Sequence, residues 1–270
     1  NTCPSFGIDR FAFLLGVTDN NRDEVLMRIG FAGAGYISNI HARAARKAGV
    51  ELAAVVEKFE DRAAAFARKF GIRKHFETIE QMLALGGVDA VVLGTPNFLH
   101  APQAVAALLA GVHVLVEKPM AMTVAEAERM CAASARSGAT LMVAHCWRFD
   151  REVNWLKDQS HRLGRIIRTK GYGVHTNWGP SGWFTQKSLA GGGAMADMGI
   201  HALDTARYVL GDPKPVSVYA RIGTYYIQGD VDDTGVVMVN WDNGVTSYIE
   251  TGWWQPHMDG PEAATQVYGT

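Results

Sequence analysis

The chain has 270 residues, 48% of them hydrophobic and 20% charged, with 29 glycines and 9 prolines. That is ordinary globular composition, and the length suffices for two compact domains. A formal net charge of -1 and a sequence pI near 6.8 provide no basic field to draw phosphate backbones or anionic lipid, so neither nucleic acid nor membrane is expected as a partner.

The cysteines, Cys3, Cys131 and Cys146, are odd in number and far apart, which predicts reduced thiols in a cytoplasmic protein rather than a disulfide frame. No apolar stretch is long enough to span a bilayer. The opening "NTCPSFGIDRFAFLLGVTDNNRDEVL" lacks a basic n-region and does not read as a signal peptide. Residues 1–26 are therefore set apart as an extension whose status the sequence leaves open, and Met27, in "MRIGFAGAGYI", is taken as the natural start of the fold.

From Met27 short β-rich apolar runs alternate with amphipathic helical runs. Strands are expected at Arg28–Ala32, Glu51–Glu57, Ala90–Leu93, Val112–Glu117 and Thr140–Ala144, with helices beginning near Tyr36, Glu60, Ile79, Ala101 and Val124. Strands apolar nearly throughout and separated by helices predict a doubly wound parallel sheet, an α/β Rossmann-type domain over residues 27–149.

The first strand runs into "GAGYIS", which places Gly33, Gly35 and Ser38 on a G-x-G-x-x-[G/A] template. Glycine permits the tight turn and the close approach of backbone to a pyrophosphate seated on the next helix. Gly33, Gly35, Tyr36, Ile37 and Ser38 are thus candidate cofactor-binding residues. Glu57, at the end of the second strand, is placed to bond an adenosine ribose, although a solvated acid at a strand end would be ordinary. Lys58 and Arg62 lie close by and could meet a 2′-phosphate, so NADP stays open beside the favoured NAD.

"GTPNFLHAPQAV" puts Thr95, Pro96, Asn97 and His100 at the carboxyl edge of the sheet, where open α/β folds bind ligands. They serve equally well as a turn and helix cap. The strand "HVLV" then ends in Glu117-Lys118-Pro119. A lysine at the inner edge of a dinucleotide site can donate to a reacting alcohol or carbonyl oxygen. From composition alone it would be a snorkelling surface lysine; context favours function, with Glu117 as a possible orienting partner. Arg148, following the last strand, completes the cofactor-edge candidates.

After a connecting helix in "RFDREVNWLKDQS" the pattern changes. "IIRTKGYGVHT", "VSVYARIGTYY", "TGVVMVNW" and "VTSYIETGWW" are long β-branched and aromatic segments, the last two joined through Asp242-Asn243-Gly244. One helix, around "AMADMGIHALDTARYVL", interrupts them. A second domain of α+β type, with a mostly antiparallel open sheet, is expected over residues 150–270.

Within that helix Asp197 and His201 are four apart and share a face, a spacing suited to a carboxylate and imidazole acting as a proton-relay pair. Alone, such a pair is usually a helix salt bridge; the preceding Gly191–Gly193 run points to close approach of backbone or ligand. Asp204 continues the stripe. Trp147, Trp183, Trp253 and Trp254 are ordinarily core or interface, and Trp183 is kept with His175, Lys118, Asp197 and His201 as the substrate-binding set. The histidines form no His-Glu-x-x-His pair and His145-Cys146 is isolated, so no metal is expected. No Gly-x-Ser-x-Gly elbow argues for a serine hydrolase, and no Tyr-x-x-x-Lys pair for a short-chain dehydrogenase.

Taken in order, "GFAGAGYIS", "VVEKFEDRA", "TPNFLHAPQAVAALLAGVHVLVEKPMAMT", "HCWRFDRE" and "GGGAMADMGIHALDTARYVLG" resemble the glucose–fructose oxidoreductase/inositol dehydrogenase/rhizopine catabolism (Gfo/Idh/MocA) family. The resemblance runs from Met27 to about the end of the chain. It implies a Rossmann domain followed by an α/β domain whose open sheet packs against a partner subunit in homodimers or homotetramers. It implies an NAD(P)-dependent oxidoreductase acting on a hydroxyl or carbonyl of a sugar, cyclitol or related polyol. The family's lysine falls on Lys118 and its Asp-x-x-x-His pair on Asp197 and His201: His201 accepts the hydroxyl proton, Asp197 orients it, and Lys118 holds the developing alkoxide. A non-catalytic NAD(P)-sensing regulator and an imine or enone reductase are the alternatives. Family chains usually run further, so a fragment is expected, its sheet short of a strand and its edge exposed. Residues 1–26 match nothing in the family.

Overall fold

The computed structural model describes residues 27–255 and 261–270, so the expected extension at 1–26 lies outside the described residues. The chain divides into two compact units between Cys146 and Trp147, a few residues before the boundary expected from sequence.

The first unit is a six-stranded parallel sheet in the order β3-β2-β1-β4-β5-β6. In chain order it runs β1 (Arg28–Ala32), α1 (Tyr36–Lys47), β2 (Glu51–Val56), α2 (Glu60–Phe70), β3 (Lys74–Phe76), α3 (Ile79–Leu85), β4 (Ala90–Leu93), α4 (His100–Leu109), β5 (His113–Val116), α5 (Val124–Ser137) and β6 (Leu141–Val143). Alternate residues of β1 face opposite layers. Ile29 and Phe31 join Phe66 and Phe70 of α2 and the alanines of α1, whereas Ala32 joins Met82 of α3, Ala104 of α4 and Met130 of α5. Both faces of the sheet are therefore buried, as the continuous apolar runs required. Strand β3, "KHF", was not foreseen, because three residues with two polar side chains carry no apolar periodicity.

Helix starts follow local chemistry. Thr78 and Gln81 close a capping box on α3, and Thr123 with Glu126 closes one on α5. Helix α1 differs: Gly35 stands at the N-cap position, so no side chain caps the helix, and its first turn holds no acid. The strand order reverses between β1 and β4, so the segments after these two strands flank the crevice where doubly wound sheets take ligands.

The second unit begins with α6 (Arg151–Gln159) and contains a five-stranded sheet in the order β11-β7-β10-β9-β8. The strands are β7 (Ile166–Val174), β8 (Pro215–Gly223), β9 (Thr234–Trp241), β10 (Thr246–Gly252) and β11 (Ala263–Gly269). Only β7 and β10 pair in parallel; the other neighbours are antiparallel. Strand β11 had no counterpart in the sequence reading, since "AATQVYG" alternates weakly. A short helix α7 (Lys187–Ala190) precedes a π-helical turn at Met195–Gly199, which passes into α8 (Ile200–Val209). The single helix expected there is thus broken in type. Ala202 and Ala206 of α8 pack on Val237, Val239, Trp241 and Ile249 of the sheet, while β8 is exposed along nearly its whole length.

Candidate active site

In the first unit the candidate residues gather at the carboxyl ends of β1, β2, β4 and β5. Gly33 takes a left-handed φ of +90°, and a Cβ there would lie 2.7 Å from the Gly94 carbonyl oxygen. A Cβ on Gly94 would in turn meet Ser38 Oγ at 2.6 Å and Ile37 Cγ2 at 3.0 Å. The turn after β1 is thus packed backbone to backbone on the end of β4, and the Ile37 and Ser38 side chains of α1 close over Gly94, which only glycine allows. Gly35 is different, because a Cβ there would meet nothing nearer than Arg62 at 3.9 Å.

These features fit a dinucleotide. An uncapped helix start leaves backbone N–H groups for a pyrophosphate, and Ser38 holds a fully buried hydroxyl with no hydrogen-bond partner in the protein. Glu57 follows β2 with a side chain 8% exposed, accepts from the Ala34 N–H at 3.0 Å and the Phe59 N–H at 3.3 Å, and pairs with Arg62 at 3.3 Å. The carboxylate expected to meet a ribose is therefore tied to the glycine turn, and Arg62, half of whose side chain stays exposed, pairs with it. Arg62 also covers the exposed ring of Phe59 at 5.7 Å. Phe59 was not singled out from sequence; an exposed aromatic two residues after the strand-end acid was the available sign. Tyr36 and Lys58 are exposed beside this edge.

Beyond β4, the Thr95 hydroxyl donates to Gln103 Oε1 at 2.7 Å, Pro96 caps a 3₁₀ turn, and Asn97 within it is buried. His100 departs from its expected cofactor-facing role. It is 1% exposed, and its ring nitrogens lie 2.9 Å from the carbonyl oxygens of Thr95 and Pro119. Burial pushes its pKa below the ordinary histidine range, against the two carbonyls, which raise it.

Lys118 is half-buried in the turn after β5, where the Lys118–Pro119 peptide is cis. Glu117 reaches Lys118 through the backbone and by charge. Its Oε2 accepts the Lys118 backbone N–H at 3.1 Å, and its Oε1 lies 2.7 Å from Nε2 of His41 on α1. Desolvation raises the Glu117 pKa, yet His41 and Lys118 outweigh it and hold the carboxyl below its usual range. His41 went unnoticed in the sequence because nothing in its spacing ties it to a residue 76 positions away.

In the second unit the π turn carries Asp197, whose Oδ2 accepts from the indole of the fully buried Trp253 at 3.0 Å and faces His175 Nε2 at 3.9 Å. His175 stacks on Trp178 with ring centroids 3.6 Å apart, and its Nδ1 lies 3.5 Å from Glu262. Desolvation raises the Glu262 pKa, but the Thr176 N–H, the Trp178 indole and His175 together lower it. His201 is buried and stacks on Trp147 at 4.7 Å. Asp197, His175 and His201 thus sit among indoles, with carboxylate and imidazole suited to accepting and passing a proton. Trp183, half-buried, stacks on Phe184 at 3.8 Å. The Arg148 guanidinium takes both oxygens of Asp204, at 2.8 and 2.7 Å, and reaches Asp212 at 3.3 Å. Asp204 accordingly serves as that arginine's partner. Among the described residues no cluster of three or more His, Cys, Asp or Glu could hold a metal ion.

The model of the GFO_IDH_MocA oxidoreductase family, NAD-binding Rossmann fold, matches residues 27–145, and that of the GFO/IDH/MocA C-terminal domain matches residues 159–270. D-glucoside 3-dehydrogenase of Escherichia coli (strain K12) is 34% identical over 245 residues, covering 83% of this chain and 70% of that protein. A crystal structure of GenD2 from gentamicin A biosynthesis, in complex with NAD, superposes with a TM-score of 0.86 at 28% identity, covering 94% of this chain and 73% of that one. A levoglucosan dehydrogenase in complex with NADH gives 0.82 at 28% identity, covering 91% and 72%.

Proposed function

We propose that this chain, which belongs to the GFO_IDH_MocA oxidoreductase family, moves a hydride between NAD and a ring hydroxyl or carbonyl of a sugar, cyclitol or related polyol. The observation that carries the cofactor half is the glycine turn at Gly33, opening onto an uncapped helix with the buried Ser38 hydroxyl. When bound, the nicotinamide supplies the hydride acceptor or donor. Gly35, Tyr36 and Ile37 line the pyrophosphate side, Glu57 the ribose, and Thr95 to Asn97 the inner edge. A carboxylate at Glu57, already neutralised by Arg62, favours NAD over NADP.

For oxidation, His201 accepts the proton of the substrate hydroxyl and Asp197 orients and supports that transfer. Lys118 donates to the developing alkoxide, and its charge stabilises it. His175 and Trp183 contact the sugar, the first by hydrogen bond and the second by its ring face. The relatives' names supply the substrate class: a D-glucoside and levoglucosan are both carbohydrate rings. The reading extends to a cytoplasmic homodimer or homotetramer formed through the second unit's sheet. Val216, Val218 and Tyr219 of β8, 70, 61 and 68% exposed, support it. No described helix is long and apolar enough to cross a membrane.

The test is a panel of D-glucosides, anhydrosugars, inositols and uronic acids offered with NAD and with NADP to the full chain, following absorbance of the reduced cofactor. Turnover of at least one polyol with NAD is expected. Tight NAD binding with no turnover across the panel would replace the enzyme by a cofactor sensor.

A further inference from the structure

We infer that His41 and His100 are positioning residues that clamp the Lys118 turn from its two sides, and so couple the placement of that lysine to the cofactor-binding segments. The inference rests on the reading of Lys118 as the group at the substrate hydroxyl. On one side, residue 117 is fixed by its carboxylate: Glu117 Oε1 meets His41 at 2.7 Å while Oε2 holds the Lys118 N–H at 3.1 Å. On the other, the Pro119 carbonyl meets His100 Nδ1 at 2.9 Å. Lys118 thus sits between two residues that are each held by a histidine from a different helix.

Both helices begin at segments assigned to the cofactor. His41 lies on α1, which opens from the Gly33–Ser38 turn. His100 opens α4 directly after Thr95–Asn97, and its Nε2 lies 2.9 Å from the Thr95 carbonyl, so one ring bridges the two edge segments. His41 is 13% exposed in its side chain and His100 1% exposed as a residue, so neither is offered to a ligand. His41 Nε2 and both nitrogens of His100 meet groups of the protein itself. A side chain held by packing and hydrogen bonds from behind is what a catalytic lysine needs to keep its geometry. A cofactor that orders the glycine turn and the Thr95 segment then also tightens the lysine's turn.

The experiment is backbone hydrogen exchange across residues 117–121 of the full chain, with and without NAD, in His41→Leu, His100→Leu and the donor-retaining His41→Gln and His100→Gln. In wild type, NAD is expected to slow exchange there. Each leucine variant is expected to speed it by about tenfold or more and to weaken the NAD effect, with the interiors of β1 and β4 unchanged. The glutamine variants are expected to fall between, because each keeps a donor for one acceptor; they also decide the matter if a leucine variant does not fold. Turnover of a methyl glucoside or levoglucosan should fall about tenfold or more in His100→Gln with NAD affinity within a few-fold, and the double variant with Lys118→Ala should lose no more than Lys118→Ala alone. Unchanged exchange at 117–121 in both glutamine variants, or a rise spread evenly over the sheet, would overturn the clamp. Normal turnover in Lys118→Ala alone would instead remove the role given to Lys118, leaving the exchange result to judge the clamp separately.

Discussion

The two units place their chemistry by different means. In the first, every candidate sits where a parallel strand ends, and the sheet order itself delivers the turns after β1, β4 and β5 to one edge. In the second, Asp197 sits in a π turn, its indole partner comes from the segment after β10, and His175 and Glu262 flank β7 and β11. The first is an edge prescribed by topology, and the second a cluster assembled by long-range packing. The difference predicts that the first tolerates change outside its turns, whereas the second depends on partners that sequence does not mark.

Substitutions sharpen this contrast. The largest expected effect is Lys118→Ala, which should lower kcat by about 10³-fold while leaving NAD affinity within a few-fold, read from steady-state kinetics and cofactor titration. Unchanged turnover would discard the assigned role. Next, Asp197→Asn should cost about 10²-fold or more in kcat, with the pH dependence of turnover flattened, since an amide cannot support an imidazolium.

Gly33→Ala forces a Cβ toward the Gly94 carbonyl at φ +90°, which should destabilise the protein by about 1–3 kcal/mol and weaken NAD binding. Thermal denaturation with and without NAD reads both effects. If only the second unit's site responded, the topological edge would not be where the cofactor rests. Trp253→Phe removes the indole donor to Asp197 but keeps most of the packing. A loss of about tenfold in kcat at unchanged NAD affinity is expected, and an equal loss in NAD binding would contradict the separation of roles.

The smallest effect is on pH. His100 has a lowered pKa in the folded state, so its contribution to stability is complete above the unfolded histidine value, about 6.5. It is lost as pH falls through the lower folded value. The folded carboxyls of Glu117 and Glu262 are also lowered, so theirs is lost further down, as pH falls through the carboxylate range. Unfolding by urea at stepped pH should show the first decline in wild type and its absence in His100→Gln.

The motifs of the first unit were readable because the turn, the acid and the lysine lie within a few residues of strand ends, and strand ends are visible as breaks in apolar runs. Six strands were present where five were expected; "KHF" escaped because pairing beside β2, not its own pattern, makes it a strand. In the second unit the β7, β8, β9 and β10 segments were readable, whereas β11 became a strand through pairing with β7. Asp197 and His201 were recognisable through a family motif, but the π turn was not, since a π turn answers to packing rather than to propensity.

The sequence by itself determined the doubly wound sheet, the glycine turn, the strand-end acid and the lysine, because local periodicity and backbone sterics act over a few residues. Tertiary structure alone decided that His100 points inward to two carbonyls, that Glu117 answers to His41, that Arg148 is taken by Asp204, and that Trp253 supports Asp197. Those pairings join residues far apart in the chain, and buried polar groups accept whichever partner the packed fold brings within reach.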